Sequence, residues 1–235
     1  MAEVVLYHHV QGLTDGVQSF AETLRTAGHT VHTPDVFDGR VFDSIDDGMA
    51  FAEETGFETL VGRGVGAADA IGPDVVYGGF SFGVMPAQQL AQTRAGARGA
   101  LLMYSCVPAS EFGDGWPEGV PVQVHAKAGD PFFAEDMDAA RALTDSYDEA
   151  QLFLYPGEQH LFADPSLPAY DAEAAGLLTE RVLAFLEAVD SAGRRPARGS
   201  QSARPPGLYL LPSRGYSSVG RAPGSHPGGQ GFESP

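Results

Sequence analysis

The stretch Val75-Val76-Tyr77-Gly78-Gly79-Phe80-Ser81-Phe82-Gly83-Val84 constrains this chain more than any other. It reads as a buried strand running into a Gly-x-Ser-x-Gly turn, with a helix starting directly behind it. A strand that reverses so sharply brings neighbouring backbone very close, and residues without Cβ, Gly79 and Gly83, leave the room. The serine is thereby held at the tip of the sheet, with the amide of Phe82 facing whatever oxygen lies in front. Met85 to Ala91 follows as a helix, with Pro86 in the first turn, where a missing N–H costs little.

The rest of the chain supplies strands and helices in alternation. Val4 to Tyr7, His29 to Thr33, Asp74 to Gly78, Gly99 to Tyr104, Pro121 to Ala126 and Ala150 to Tyr155 predict six short strands. Between them, helices are expected around Val17 to Leu24, Ile45 to Glu54, Glu58 to Ala70, Met85 to Ala91 and Ala134 to Tyr147. A last helix is expected from Ala172 to Val189. Short apolar strands separated by helices indicate a doubly wound, mostly parallel sheet with helices on both faces, an α/β fold of three layers.

Charge divides the chain. Residues 1–190 carry 8 Lys and Arg against 30 Asp and Glu, a charge of −22, enough chain for one sizeable core. Residues 191–235 carry 6 against 1, a charge of +5, and are rich in Arg, Pro, Gly and Ser without an apolar stripe. The first part is expected to be the folded domain and the second a disordered tail. The segments 215–224 and 228–235 resemble a transfer-RNA gene translated in frame, as though the reading frame ran through its usual stop. The acidic domain argues against nucleic acid or an anionic membrane as partner. Cys106 is the only cysteine, which excludes an intrachain disulfide and suits a reducing compartment. With no signal-peptide pattern at Met1-Ala2-Glu3, a cytoplasmic location is expected.

In a parallel sheet, reactive groups collect in the loops at the carboxyl ends of the strands. Four such loops carry useful chemistry: Ser81 after the central strand, Asp130 and His160 after the last two, and His9-Val10-Gln11-Gly12 after the first. A serine hydroxyl needs a base; His160 can take its proton and return it, while Asp130 holds the other ring nitrogen. The backbone N–H groups of Val10 and Phe82 are candidates for an oxyanion hole. The chain order Ser, Asp, His is that of the α/β-hydrolase fold. Adjacent residues of an extended segment face opposite sides, so His8 and His9 are not a metal pair. Cys106 reads as a small core or loop residue rather than a nucleophile, while Phe112, Trp116, Phe132 and Phe133 are candidates for the pocket mouth.

The segments 8–14, 34–39, 79–83, 129–130 and Tyr155-Pro156-Gly157-Glu158-Gln159-His160-Leu161-Phe162 resemble the dienelactone hydrolase family, in order, over residues 3 to 189. The resemblance implies an α/β-hydrolase domain without a lid that cleaves a small ester or lactone through an acyl-enzyme and needs no cofactor. Two positions depart from it. The best-known members carry cysteine as nucleophile and a glutamate in the first loop, where this chain has Ser81 and His9. An arginine that binds the substrate carboxylate in those enzymes is matched here by Asp164, which would repel a carboxylate. His9 and Asp164 are therefore candidate pocket residues. The competing reading is a non-catalytic binding domain that retains the hydrolase fold.

Overall fold

The computed structural model describes residues 1–193. Six strands form one parallel sheet: β1 (Glu3–Tyr7), β2 (Thr30–His32), β3 (Val75–Phe80), β4 (Gly99–Met103), β5 (Val122–Lys127) and β6 (Ala150–Tyr155), in the order β2-β1-β3-β4-β5-β6. The order reverses direction after β2, with β1 lying between β2 and β3, so β3 sits near the middle with its carboxyl end open to loops from both halves.

Alternation along each strand splits the side chains between two cores. Val4, Leu6, Val76, Phe80, Leu101 and Met103 face one side, where α1 (Asp15–Thr26) and α6 (Ala172–Gly193) pack. Val5, Tyr7, Val75, Tyr77, Ala100, Leu102, Val122 and Val124 face the other, under α4 (Val84–Thr93) and α5 (Met137–Ser146). Both faces are covered, which is why β1, β3 and β4 read as continuous apolar runs rather than alternating ones, while β5 alternates in sequence yet is buried throughout. The three-layer expectation holds.

A third, smaller cluster lies beneath the loops at the carboxyl ends: Val10, Val36, Phe37, Ala52, Leu60 and Phe82. Ala52 belongs to α2 (Ile45–Thr55) and Leu60 to α3 (Phe57–Ala67), the two helices of the crossover from β2 to β3. Ser44 caps α2 by accepting the Asp47 N–H at 3.1 Å.

Most strand boundaries move by one or two residues from the sequence reading, β3 ending at Phe80 rather than Gly78, and two helix boundaries move further. α5 begins at Met137 rather than near Ala134, because residues 131–136 form turns that end in Asp136 ahead of the helix. α6 runs to Gly193, three residues beyond the expected domain end; the remainder of the predicted tail lies outside the described residues. Among the described residues, no helix is long and apolar enough to cross a membrane. None of them forms a group of three or more His, Cys, Asp or Glu that could hold a metal ion.

Candidate active site

The turn after β3 is built as its glycines require. A Cβ on Gly79 would lie 2.1 Å from the Gly83 carbonyl oxygen, and one on Gly83 would lie 2.6 Å from the carbonyl oxygens of Tyr7 and His8. The chain therefore folds back on itself and against the end of β1 as closely as backbone allows. Ser81, between them, adopts φ 49°, in the left-handed region that non-glycine residues seldom enter. Strain of this kind persists only where surrounding structure enforces it. Tyr104 after β4 (φ 72°) and Leu161, next to His160 (φ 55°), share that conformation, so the carboxyl edge of the sheet concentrates it.

Three of the predicted residues come together. The His160 ring lies between Ser81 and Asp130, with Nε2 2.9 Å from Ser81 Oγ and Nδ1 2.6 Å from Asp130 Oδ2. A carboxylate only accepts, so Nδ1 carries the proton and Nε2 is left to accept from the serine hydroxyl. Asp130 is itself held: its Oδ1 accepts the Phe132 N–H at 2.9 Å. Aromatic rings flank the imidazole, Phe132 at 4.8 Å and Tyr104 at 5.5 Å between centroids. Tyr104 is fixed in turn, its hydroxyl accepting the Ala163 N–H at 2.9 Å.

The first loop brings Val10 to the same place. Val10 is buried, lines the cavity beside Ser81 and Phe82, and its N–H has no hydrogen-bond partner among the described residues. Its carbonyl is pressed against α2, where a Cβ on Gly48 would lie 2.1 Å from the Val10 oxygen.

His9 and Asp164 sit elsewhere than expected. Neither lines the cavity. Both are buried, with His9 Nε2–H donating to Asp164 Oδ2 at 2.9 Å and His9 Nδ1 accepting the Gln11 N–H at 3.3 Å. Thr14 Oγ1 also donates to Asp164 Oδ2, at 2.6 Å, while the Ser166 N–H and hydroxyl donate to Oδ1 at 2.8 and 2.5 Å. Burial alone would raise this carboxyl, but the hydrogen bonds from His9, Ser166 and Thr14 outweigh it and hold the pKa down at about 2. Four donors thus absorb the charge that was expected to confront a substrate. A Cβ on Gly16 would collide with Asp164, so α1 approaches it as closely as a helix can. The Asp164 cluster ties the first loop, the start of α1 and the segment after His160 into one unit.

The remaining histidine of the first loop, His8, is buried too. Its Nδ1–H donates to the His9 carbonyl at 2.8 Å and its Nε2 accepts the Val36 N–H at 3.2 Å. Burial pushes its pKa down to about 4, leaving a neutral structural ring. Cys106 is buried, and burial and then the nearby Asp136 push its thiol up to about 12, so it is no nucleophile at neutral pH.

The cavity in front of Ser81 has a volume of about 350 Å³. Ile45 and Met49 of α2 and Phe57 and Val61 of α3 form one wall; Met85 and Phe132 form others. No separate lid domain is inserted among the described elements. Among the described residues, the one polar side chain in its walls besides Ser81 and His160 is Ser105, whose hydroxyl donates to Asp136 Oδ2 at 2.6 Å. Of the aromatics assigned to the mouth, Phe132 lines this cavity and Phe112 an adjoining groove, whereas Trp116 and Phe133 are buried in the core under α4 and α5.

Sequence reading missed the α2 and α3 wall, since Phe57 and Val61 stand in a helix that otherwise looks polar. It also missed Lys127, a buried lysine at the end of β5. The Lys127 ammonium donates to Gln159 Oε1 at 2.7 Å and to Asp171 Oδ2 at 2.6 Å, fastening the loop before His160. Its place three residues before Asp130 was the available clue.

Comparison with known proteins agrees with this architecture. The chain is similar to a dienelactone hydrolase-like promiscuous phosphotriesterase from metagenomic libraries (22% identity, 80% of this chain and 87% of that one, TM-score 0.65). It is also similar to Thermogutta terrifontis esterase 2 (15% identity, 80% and 83%, TM-score 0.58). A third similar structure is the dienelactone hydrolase of Anabaena variabilis ATCC 29413 (18% identity, 80% and 86%, TM-score 0.56). A search of curated proteins gives no match. The profile of the dienelactone hydrolase family matches residues 1–190, and the chain belongs to that family.

Proposed function

We propose that this member of an ester-hydrolase family is a serine hydrolase that cleaves a small ester or lactone through an acyl-enzyme. The observation that carries the reading is the single imidazole bridging a strained serine and a buried carboxylate at 2.9 and 2.6 Å. Ser81 Oγ attacks the acyl carbon while His160 Nε2 takes its proton. The N–H groups of Val10 and Phe82 receive the oxyanion, and an unpartnered buried donor at Val10 suits that role. On collapse, the leaving alcohol takes the proton from His160, and Ser81 remains acylated. Water then attacks the ester carbon with His160 again as base, releasing the acid and restoring the serine. Asp130 keeps the ring oriented and stabilises it while it is charged.

The acidic surface and the single reduced cysteine fit a cytoplasmic enzyme acting on small molecules rather than on nucleic acid. A fluorophosphonate probe tests the reading: it should label the wild type and leave Ser81→Ala unlabelled. Equal labelling of both would remove Ser81 as nucleophile. No labelling of the wild type, with no turnover of activated esters, would favour a binding domain.

A further inference from the structure

Beyond the cavity in front of Ser81 lies a second groove of about 400 Å³, and the two share Phe57, Val61 and Met85 as common walls. Phe57 is 40% exposed and stands between the two, so its ring is open to a ligand from either side. Among the described residues, the inner cavity has no Asp, Glu, Lys or Arg in its walls, and the outer groove has two, Glu58 and Glu111. Asp164 is turned away from the cavity onto its four donors, so no charged side chain lines the acyl end, and the charges in the outer groove are negative.

We propose that this site, read as the serine esterase above, is built for esters with an extended, uncharged acyl chain that runs from Ser81 past Met85 into the outer groove. The direction follows from the chemistry. The alcohol must leave beside His160, because it takes its proton from Nε2. The outer groove is reached past Phe57, Val61 and Met85 and not past His160 or Phe132, which leaves it for the acyl side. Apolar walls reward each methylene; Glu58 and Glu111 penalise a terminal carboxylate there.

A fully buried methylene is worth about fourfold in binding, and one lying in an open groove roughly half that free energy, about twofold. From p-nitrophenyl acetate to octanoate, kcat/KM should therefore rise on the order of 60-fold. An octanoate analogue ending in a carboxylate should fall at least about tenfold below octanoate. Gly62 lies on the floor of the outer groove, and a Cβ built there meets nothing within 4 Å. Gly62→Trp should fill the groove and bring the octanoate-to-acetate ratio close to one, with helix content by circular dichroism unchanged. Glu58→Gln with Glu111→Gln should lift the terminal carboxylate analogue toward octanoate. Acetate hydrolysis with a flat or falling chain-length series, or a rising series that Gly62→Trp leaves intact, would overturn the inference while leaving the esterase reading standing. Absence of turnover on every ester would overturn both.

Discussion

Replacing Asp164 with Asn tests the cluster that holds the first loop. In the native protein each carboxylate oxygen accepts two hydrogen bonds, from His9 and Thr14 on one side and from the Ser166 N–H and hydroxyl on the other. Asparagine offers one acceptor oxygen and turns an NH₂ toward the other pair of donors. An unsatisfied buried donor costs about 1–3 kcal/mol, so a loss on the order of 2–4 kcal/mol is expected at neutral pH. The pH dependence gives a sharper test. Lowering a carboxyl from 3.8 to about 2 on folding is worth roughly 2 kcal/mol, since a tenfold change in proton affinity is worth about 1.4. Because the folded state holds this proton more weakly, the contribution is complete well above pH 3.8 and is lost as pH falls through about 2. By pH 3 about half of it, roughly 1 kcal/mol, is gone. Urea titrations followed by circular dichroism, on wild type and Asp164→Asn at several pH values from 6 to 3, should show the gap between them narrowing by that amount. Turnover should fall alongside stability, since His9 also holds the Gln11 N–H and so the loop bearing Val10. A gap that stays constant from pH 6 to 3 would refute the argument.

Two further substitutions probe the proposed chemistry. Asp130→Asn should keep the fold but reverse the His160 tautomer, lowering kcat on the order of 10⁴-fold with little change in thermal midpoint; near wild-type turnover would place the orienting acid elsewhere. Gly48→Ala puts a methyl where the Val10 carbonyl oxygen lies 2.1 Å away, so the loop must move. If the Val10 N–H serves the oxyanion, kcat should drop by about 10²–10³ with KM little changed, as for removal of one such donor.

Much of this arrangement can be read from the chain because its causes are local. The apolar run before Gly79 and the steric need for Gly79 and Gly83 depend on neighbours a few residues away, as do the loops that place Asp130 and His160 beyond their strands. The surroundings of Asp164 are different in kind. Its donors come from residues 9, 14 and 166, and only the folded sheet brings the first two to it, across about 150 positions. Asp164 therefore read as a pocket group, from its match to the family's carboxylate-binding arginine, when four hydrogen bonds had turned it inward. The cavity wall was hidden for a related reason. Phe57 and Val61 lie on a helix whose apolar residues divide between the site and the core, which takes Leu60, so periodicity alone could not assign them.

The position of β6 at the rim of the sheet has a consequence for how this protein would lose its activity. Among the described residues β6 is bonded to β5 alone, and half of its residues or more keep contact with solvent. Edge elements of this kind open at a lower free energy than the centre. Yet the loop that leaves β6 carries His160, and Lys127 stitches that loop to β5 and to the start of α6. Ser81 belongs to the most enclosed strand, while its partner hangs from the least enclosed one. Fraying at one margin would thus part the two residues while the central strands remain intact, so, if Ser81 and His160 act as proposed, catalytic silence would precede collapse. On the same proposal the reverse applies during synthesis: the serine's surroundings can form early, but hydrolysis waits until the last strand has joined the sheet.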